Sequence, residues 1–406
     1  MLGLFATIYS LRDMEGETGL TLYYTLLLGL IAGLMGVVFA GDFFSLYVFW
    51  EIMCLASYTL VAFRKEGWEP LEAGFKYLIM SVTGASTVLL AMSFLYATTG
   101  SLNFAYLAAS FSDATPNPFL FLTMILIIVG FGINAAVVPF HTWLPDAHPA
   151  APAPISAMLS GVVIKASVYA LCRVLFSVFP LTRFHWGPLL AILSVVSMTI
   201  GNITALLQSD IKRLLAYSSI AQIGYILIGM ATGSNLGLTG TNFHVFNHAL
   251  MKGLAFLCAG AFIYRSKTRR LDEMAGIGRK MPLSALILSI SLLALAGLPG
   301  LNGFMSKLVL FTSAIRGGIA WLAIAGVLNS AFSVAYYVRL IIILIRPQPS
   351  EKAAVAKEAP VVMLAPMCAM ATFIVLFGVW PEPIQEFAQE AAASLTNLGV
   401  FTSAVI

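Results

Sequence analysis

The chain carries very little charge. Only 10% of its 406 residues are Asp, Glu, Lys or Arg and 60% are hydrophobic, whereas about a quarter of an average soluble domain is charged. Its mean hydropathy of +0.92 excludes an ordinary soluble fold and points to an all-α polytopic membrane protein. Cysteine is equally scarce. Cys54, Cys172, Cys258 and Cys368 stand singly in apolar runs without CxxC spacing, which argues against disulfides and iron–sulfur ligation. Neither a haem CxxCH nor a GxxxxGK[ST] phosphate loop occurs, so no cofactor is expected and ATP is not the energy source. The net charge of +4 gathers in a few loops and leaves no footprint for nucleic acid. The opening MLGLFATIYSLRDMEGE has no basic stretch ahead of its apolar run and no small-residue cleavage site, so it is not read as a signal peptide.

What is present is apolar sequence in lengths that cross a bilayer, which takes about 20 residues per helix. Eleven such runs fall near residues 21–40, 43–63, 75–97, 119–139, 154–179, 188–207, 214–232, 243–264, 282–317, 319–345 and 361–380. Residues 1–11 form a twelfth helix too short to span alone, and the tail after Pro383 is weakly amphipathic. The expectation is 11–12 transmembrane helices in one domain over 1–406, with no soluble domain inserted. The run 282–317 is too long for one crossing and has GLPGLNGF at its centre. Gly and Pro there predict a broken helix, which membranes tolerate only where protein or a hydrated cavity satisfies the freed backbone. The prolines after Val138 predict either a second break or a tight turn. The loop YRSKTRRLDEMAGIGRKMP carries six basic residues against two acidic ones. With Arg64, Lys65, Lys212, Arg213 and the 346–357 loop on the same side, it marks the cytoplasmic face.

Charges inside the membrane each need a reason, since one at the bilayer centre costs about 2.5–3.5 kcal/mol on insertion scales. Glu51, Lys165 and Lys307 lie within apolar runs, and His244, His248 and Lys252 repeat every four residues, which places them on one helix face. Each has an ordinary alternative: an ion-pair partner for Glu51, snorkelling for Lys165, a local Glu72–Lys76 pair, a solvated turn for Asp210, Lys212 and Arg213. Two histidines at i, i+4 can ligate a metal, but no third ligand is near them in sequence, so no metal site is expected. As a set, these groups are suited to a proton relay, because buried Lys and Glu change each other's protonation.

FWEIMCLASYTLV, VVPFHTWLPDAHPAAPAPISAMLSGVVIK, DIKRLLAYSSIAQIGY, HALMKGLAFL and GLPGLNGFMSK resemble, in order and over nearly the whole chain, the signatures of the antiporter-like subunits. That family is shared by respiratory complex I, membrane-bound [NiFe] hydrogenase and sulfane sulfur reductase complexes, and Mrp cation/proton antiporters. The resemblance implies two inverted five-helix repeats with broken helices (about 21–207 and 214–345), C-terminal helices over 361–406, and a fold lacking the family's first helices. It also implies an ion path through Glu51, Lys76, Lys165, His244, His248, Lys252 and Lys307, with His141, Asp146, His148, Asp210 and Lys212 as accessory polar groups. His141, Asp146 and His148 are read as cytoplasmic-side groups that feed protons inward.

The chain departs from the family pattern at Asn134, where a lysine usually partners the glutamate. Asparagine carries no charge, so Glu51 must find another cation, with Lys76 the expected one, or keep its proton. The leading expectation is a proton- or sodium-translocating subunit of a multisubunit redox-driven complex in a prokaryotic cytoplasmic membrane. Its partners would be further antiporter-like subunits, a redox arm and the lipid bilayer, and any oxidoreductase chemistry would lie in those partners. The alternatives are an Mrp-type Na+/H+ antiporter subunit and a structural subunit with reduced pumping because of Asn134.

Overall fold

A computed structural model describes residues 1–112 and 117–396. The last ten residues of the expected C-terminal region 361–406 lie outside them. The described chain is helical, without a β-strand. It begins with α1 (Leu2–Asp13), α2 (Leu20–Phe39), α3 (Phe43–Val61), α4 (Trp68–Thr99), α5 (Phe104–Ser112), α6 (Pro118–Asn134) and α7 (Leu144–Ala150). Next come α8 (Ala153–Met158), a π-turn at Leu159–Val163, α9 (Ile164–Val178), α10 (Leu181–Phe184), α11 (Gly187–Leu206), α12 (Ile211–Ala231) and α13 (Asn235–Ser266). The chain closes with α14 (Pro282–Ala296), α15 (Asn302–Arg316), α16 (Ala320–Ile345), α17 (Glu351–Ala354), α18 (Val361–Val379) and α19 (Glu382–Thr396).

Among the described residues, nine helices are long and apolar enough to span a membrane: α2, α3, α4, the continuous α8–α9 unit, α11, α12, α13, α16 and α18. Helices α6 and α14 are apolar but shorter. Their shortness has a local cause, because each runs into a break. Side chains of polar residues start several helices: Asp42 accepts from Ser45 N for α3, Asp210 from Lys212 N for α12 and Ser234 from Gly237 N for α13. Almost every residue of α12 is buried and α13 is nearly so, whereas α2 and α16 turn apolar side chains outward. A helix wrapped on all sides by protein can carry polar residues that a lipid-facing one cannot. Helix α1, expected to be too short to span alone, packs within this chain against α8, α13 and α18. Its Tyr9 hydroxyl donates to Leu257 O at 2.9 Å.

The break expected in the long apolar run forms, and the chain also leaves helical geometry ahead of Pro139. The run 282–317 divides into α14 and α15 around Gly297–Leu301. The prolines lie at both a break and a turn: α6 stops at Asn134 with Ala135–Val138 buried, and a partly exposed turn follows over 139–142. Protein groups satisfy the freed backbone, as the absence of water requires. Trp143 Nε1 donates to Ile133 O at 2.8 Å, and Val138 N donates to Ser197 Oγ at 3.1 Å.

The loop after α13 is held by Glu273. Its carboxylate accepts from Lys352 Nζ at 2.7 Å and from the Thr268 hydroxyl, while its backbone carbonyl accepts from Ser350 Oγ. The Lys352 bond and then the Thr268 bond hold the Glu273 carboxyl below its usual range. A depressed carboxyl contributes stability above its unfolded pKa and loses it as pH falls through the folded value. We expect amides of 268–274 and α17 to lose hydrogen-exchange protection between about pH 5 and pH 3. Unchanged protection across that window, after correction for intrinsic exchange, would refute the role of this pair.

Candidate functional site

The α13 face with His244, His248 and Lys252 is fully buried, and the imidazole rings of His244 and His248 stack with centroids 6.0 Å apart. Helix α12 supplies the partners. His244 Nε2 bonds Gln222 Oε1 at 2.9 Å, and its Nδ1 bonds Ser306 Oγ of α15 at 2.9 Å. Lys252 Nζ donates to Ser218 Oγ and, at 3.3 Å, to Leu215 O; Ser218 bonds the Tyr337 hydroxyl of α16. His248 has no hydrogen-bond partner at either ring nitrogen.

The two ends of this row sit on irregular backbone. At the α14–α15 break, Lys307 Nζ donates to Leu295 O at 2.8 Å, Ala296 O at 3.2 Å and Ser330 Oγ at 2.9 Å, and lies 4.7 Å from the centre of the Tyr225 ring. A helix C-terminus concentrates unpaired carbonyls and partial negative charge, so it is a natural seat for an ammonium. Gln222 Nε2 also donates to Leu295 O, at 3.2 Å, which joins Lys307 to His244. At the other end, Lys165 Nζ donates to Ser160 O in the π-turn. Ser160 Oγ bonds Ser219 Oγ at 2.7 Å, and Ser219 Oγ donates to Leu215 O at 2.9 Å, the carbonyl that Lys252 also uses. Lys165, Lys252 and Lys307 are at most 3% exposed, and none has an ion-pair partner among the described residues.

The Glu51 region is built differently. Glu51 Oε1 has no partner, and neither has Asn134 Nδ2; Asn134 Oδ1 faces Cys54 Sγ at 3.7 Å. Lys76 does not pair with Glu51. It turns to Glu72 at 2.8 Å and Asp146 at 2.9 Å, because a side chain two turns from the start of α4 reaches the interface more easily than the interior. Asp146 also meets Arg213 at 3.4 Å, and Arg269 meets Glu69 at 2.8 Å and Asp210 at 3.2 Å. Lys76, Asp146 and Asp210 thus belong to a partly exposed ionic cluster, with Asp210 also capping α12.

His148 and Lys212 depart from their expected settings. His148 is wholly buried, stacked 4.3 Å from Phe256, with both ring nitrogens unpartnered; it lies on proline-rich α7, which packs against α12. Lys212 is 4% exposed, so the solvated-turn reading fails. Its Nζ donates to Ala151 O at 2.7 Å, a carbonyl just past α7. His141 is half-buried beside Tyr217.

Sequence reasoning missed the hydroxyl and amide links, Ser160, Ser218, Ser219, Gln222, Ser306 and Ser330. The motif DIKRLLAYSSIAQIGY held a signal for two of them, since Ser218 and Gln222 stand at i, i+4 in a helix otherwise apolar enough to span. Chemically, the row sets titratable side chains among hydroxyl, amide and carbonyl partners on either side of the unpartnered His248. Among the described residues no group of three or more His, Cys, Asp or Glu gathers in metal-ligating fashion.

The chain is 34% identical over 401 residues to F(420)H(2) dehydrogenase subunit N of Methanosarcina mazei, covering 97% of this chain and 81% of that one. It is 37% identical over 403 residues to NADH-quinone oxidoreductase subunit N of Desulforudis audaxviator, covering 94% and 79%. Its fold matches a chain of an archaeal membrane-bound sulfane sulfur reductase with a TM-score of 0.91 at 30% identity, covering all of this chain and 82% of the other. A chain of the Mrp complex from Dietzia sp. DQ12-45-1b also matches with a TM-score of 0.91, at 25% identity and covering 100% and 83%. Residues 40–333 match the family described as NADH:quinone oxidoreductase/Mrp antiporter, TM. The chain belongs to that family, as a multi-pass, antiporter-like membrane subunit.

Proposed function

We propose that this subunit conducts protons or sodium ions through the row Lys165, Lys252, His248, His244 and Lys307, within a redox-driven complex of a prokaryotic cell membrane. The observation that carries this reading is the buried row itself, hydrogen-bonded on either side of the unpartnered His248, which holds three buried lysines without a carboxylate to neutralise them. Buried cations of that kind are costly, and a purely structural role would be served better by apolar side chains. Charge switching follows: a proton arriving at one lysine repels those on its neighbours and drives the next transfer. The subunits of large membrane complexes among its structural neighbours support membrane partners, including further antiporter-like chains and a redox arm. We read residues 21–207 and 214–345 as two repeats, each holding one of the two breaks, with the basic loops in the cytoplasm.

The lack of a lysine partner at Glu51, with the uncharged Asn134 nearby, favours protons reaching the row by a route other than a Glu51–lysine pair. The deciding experiment is ion transport by purified complex in proteoliposomes carrying Lys165→Ala. We expect a loss of about tenfold or more with the complex assembled. Full gradients in that variant would reject the transport reading in favour of a docking role.

A further inference from the structure

We propose that Asp13 and Lys212 form a proton inlet into the buried row, loaded from a water-accessible cavity at the end of α1. The proposal rests on the ion-conducting reading above. The cavity has a volume of about 420 Å3 and is lined by Asp13, Glu15, Glu17, Arg64, Lys212 and Lys267, among others. Its walls run from wet to dry. Glu15 is 57% exposed and Arg64 39%, while the Asp13 side chain is only 8% exposed.

Asp13 is not a settled ion-pair partner. Its Oδ2 is buried without a hydrogen bond, and Arg64 stays 3.9 Å away because its Nε is engaged with Glu17 at 2.7 Å. The groups that act on Asp13 are Arg64 beyond α3, Glu17 beyond α1 and Lys212 of α12, with Tyr9 and Tyr23 nearby. Asp13 and Lys212 line the same cavity, and no direct bond joins them among the described residues. A desolvated carboxyl with one oxygen lacking a hydrogen bond and only a distant cation, facing a polar cavity, is an expensive arrangement unless it exchanges protons with what fills the cavity.

Lys212 connects that cavity to the interior. Its Nζ donates to Ala151 O at 2.7 Å and reaches Ser156 Oγ at 3.4 Å. Ser156 Oγ donates to His148 O at 3.0 Å, and the buried His148 ring has no hydrogen-bond partner at either nitrogen. The transfer balances. The Asp13 carboxylate takes a proton from hydronium in the cavity, and the resulting carboxyl passes it through water to a neutral Lys212 amine, leaving a carboxylate and an ammonium. The ammonium gives the proton to a His148 ring nitrogen and returns to the amine. This inlet would feed the row without a lysine at position 134.

The test is transport by the purified complex in proteoliposomes for Asp13→Asn, Asp13→Glu, Lys212→Arg and Lys165→Ala, with assembly checked for each. Asp13→Asn should transport about tenfold more slowly or worse, and Asp13→Glu should restore most of the rate. Lys212→Arg keeps a cation that can donate to Ala151 O but cannot release its proton, so it should assemble and show the same loss. If Asp13→Asn fails to assemble, Lys212→Arg decides. Wild-type transport in either variant, with Lys165→Ala inactive, would overturn the inlet and leave the transport reading standing. Wild-type transport in Lys165→Ala would remove that reading and the inlet together.

Discussion

Complex carrying Lys307→Arg is expected to assemble normally and to transport ions about a hundredfold more slowly than wild type. Lys307 has two separable duties. Its ammonium satisfies Leu295 O and Ala296 O at the end of α14, with Ser330 completing the shell. It also terminates the row, one shared carbonyl away from Gln222 and His244. Arginine preserves the first duty, since a guanidinium donates to carbonyls and can lie against the Tyr225 ring. It abolishes the second, because it stays protonated. Lys307→Met should fail on both counts: transport falls as far, and Leu295 O and Ala296 O lose their ammonium donor and keep only Gln222 Nε2 and Ser330 Oγ, at a cost of about 1.5–3 kcal/mol for the lost charged hydrogen bonds. Thermal unfolding of the complex separates the variants. Near-wild-type transport by Lys307→Arg would show that Lys307 is only a clasp for the break.

Reading the sequence located the helices well and the polar row only in part. Length and hydropathy suffice to place a membrane helix, since the bilayer fixes both, and GLPGLNGF announced its break through residues that cannot continue a helix. His244, His248 and Lys252 were legible because helical periodicity alone aligns them. What could not be read was which polar groups meet across helices. Lys76 and Lys212 illustrate the limit. Both are lysines near the start of a helix, and pattern alone treats them alike, yet Lys76 lies in an ionic cluster at the surface and Lys212 points under α7. The difference comes from the fold of the Pro-rich segment 139–154, which brings the Ala151 carbonyl to Lys212. Serines are harder still. In membrane helices their hydroxyls commonly bond the carbonyl one turn back, as Thr59 and Thr83 do here, so nothing in the sequence marks Ser160 and Ser219 as the pair that bridges α12 to the π-turn.

The largest stability effect is expected at Gly303, in the first turn of α15. A Cβ there would stand 1.9 Å from Ala294 O and 2.9 Å from Met251 Sδ. The methionine can yield, but the carbonyl belongs to the last turn of α14 and accepts from Gly297 N at 3.0 Å. Helix α15 is pinned on its other side, where Asn302 and Asn247 exchange hydrogen bonds of 3.1 and 3.0 Å. Any side chain at 303 must therefore push α15 off α14 or break that exchange. Overpacking of a rigid site costs about 1–3 kcal/mol, and because backbone meets backbone here, Gly303→Val should lie at or above the top of that range. Lys307 follows one helical turn later, so the displacement should also draw its ammonium away from Leu295 O and lower transport. Gly300 supplies the comparison. It has φ +88° but open space around it, so Gly300→Ala should cost only the left-handed backbone strain of about 1–2 kcal/mol. Melting temperatures of the two variants in purified complex test the ordering, and a Gly303→Val complex as stable as wild type would rule out close α14–α15 contact as the reason for glycine at this position.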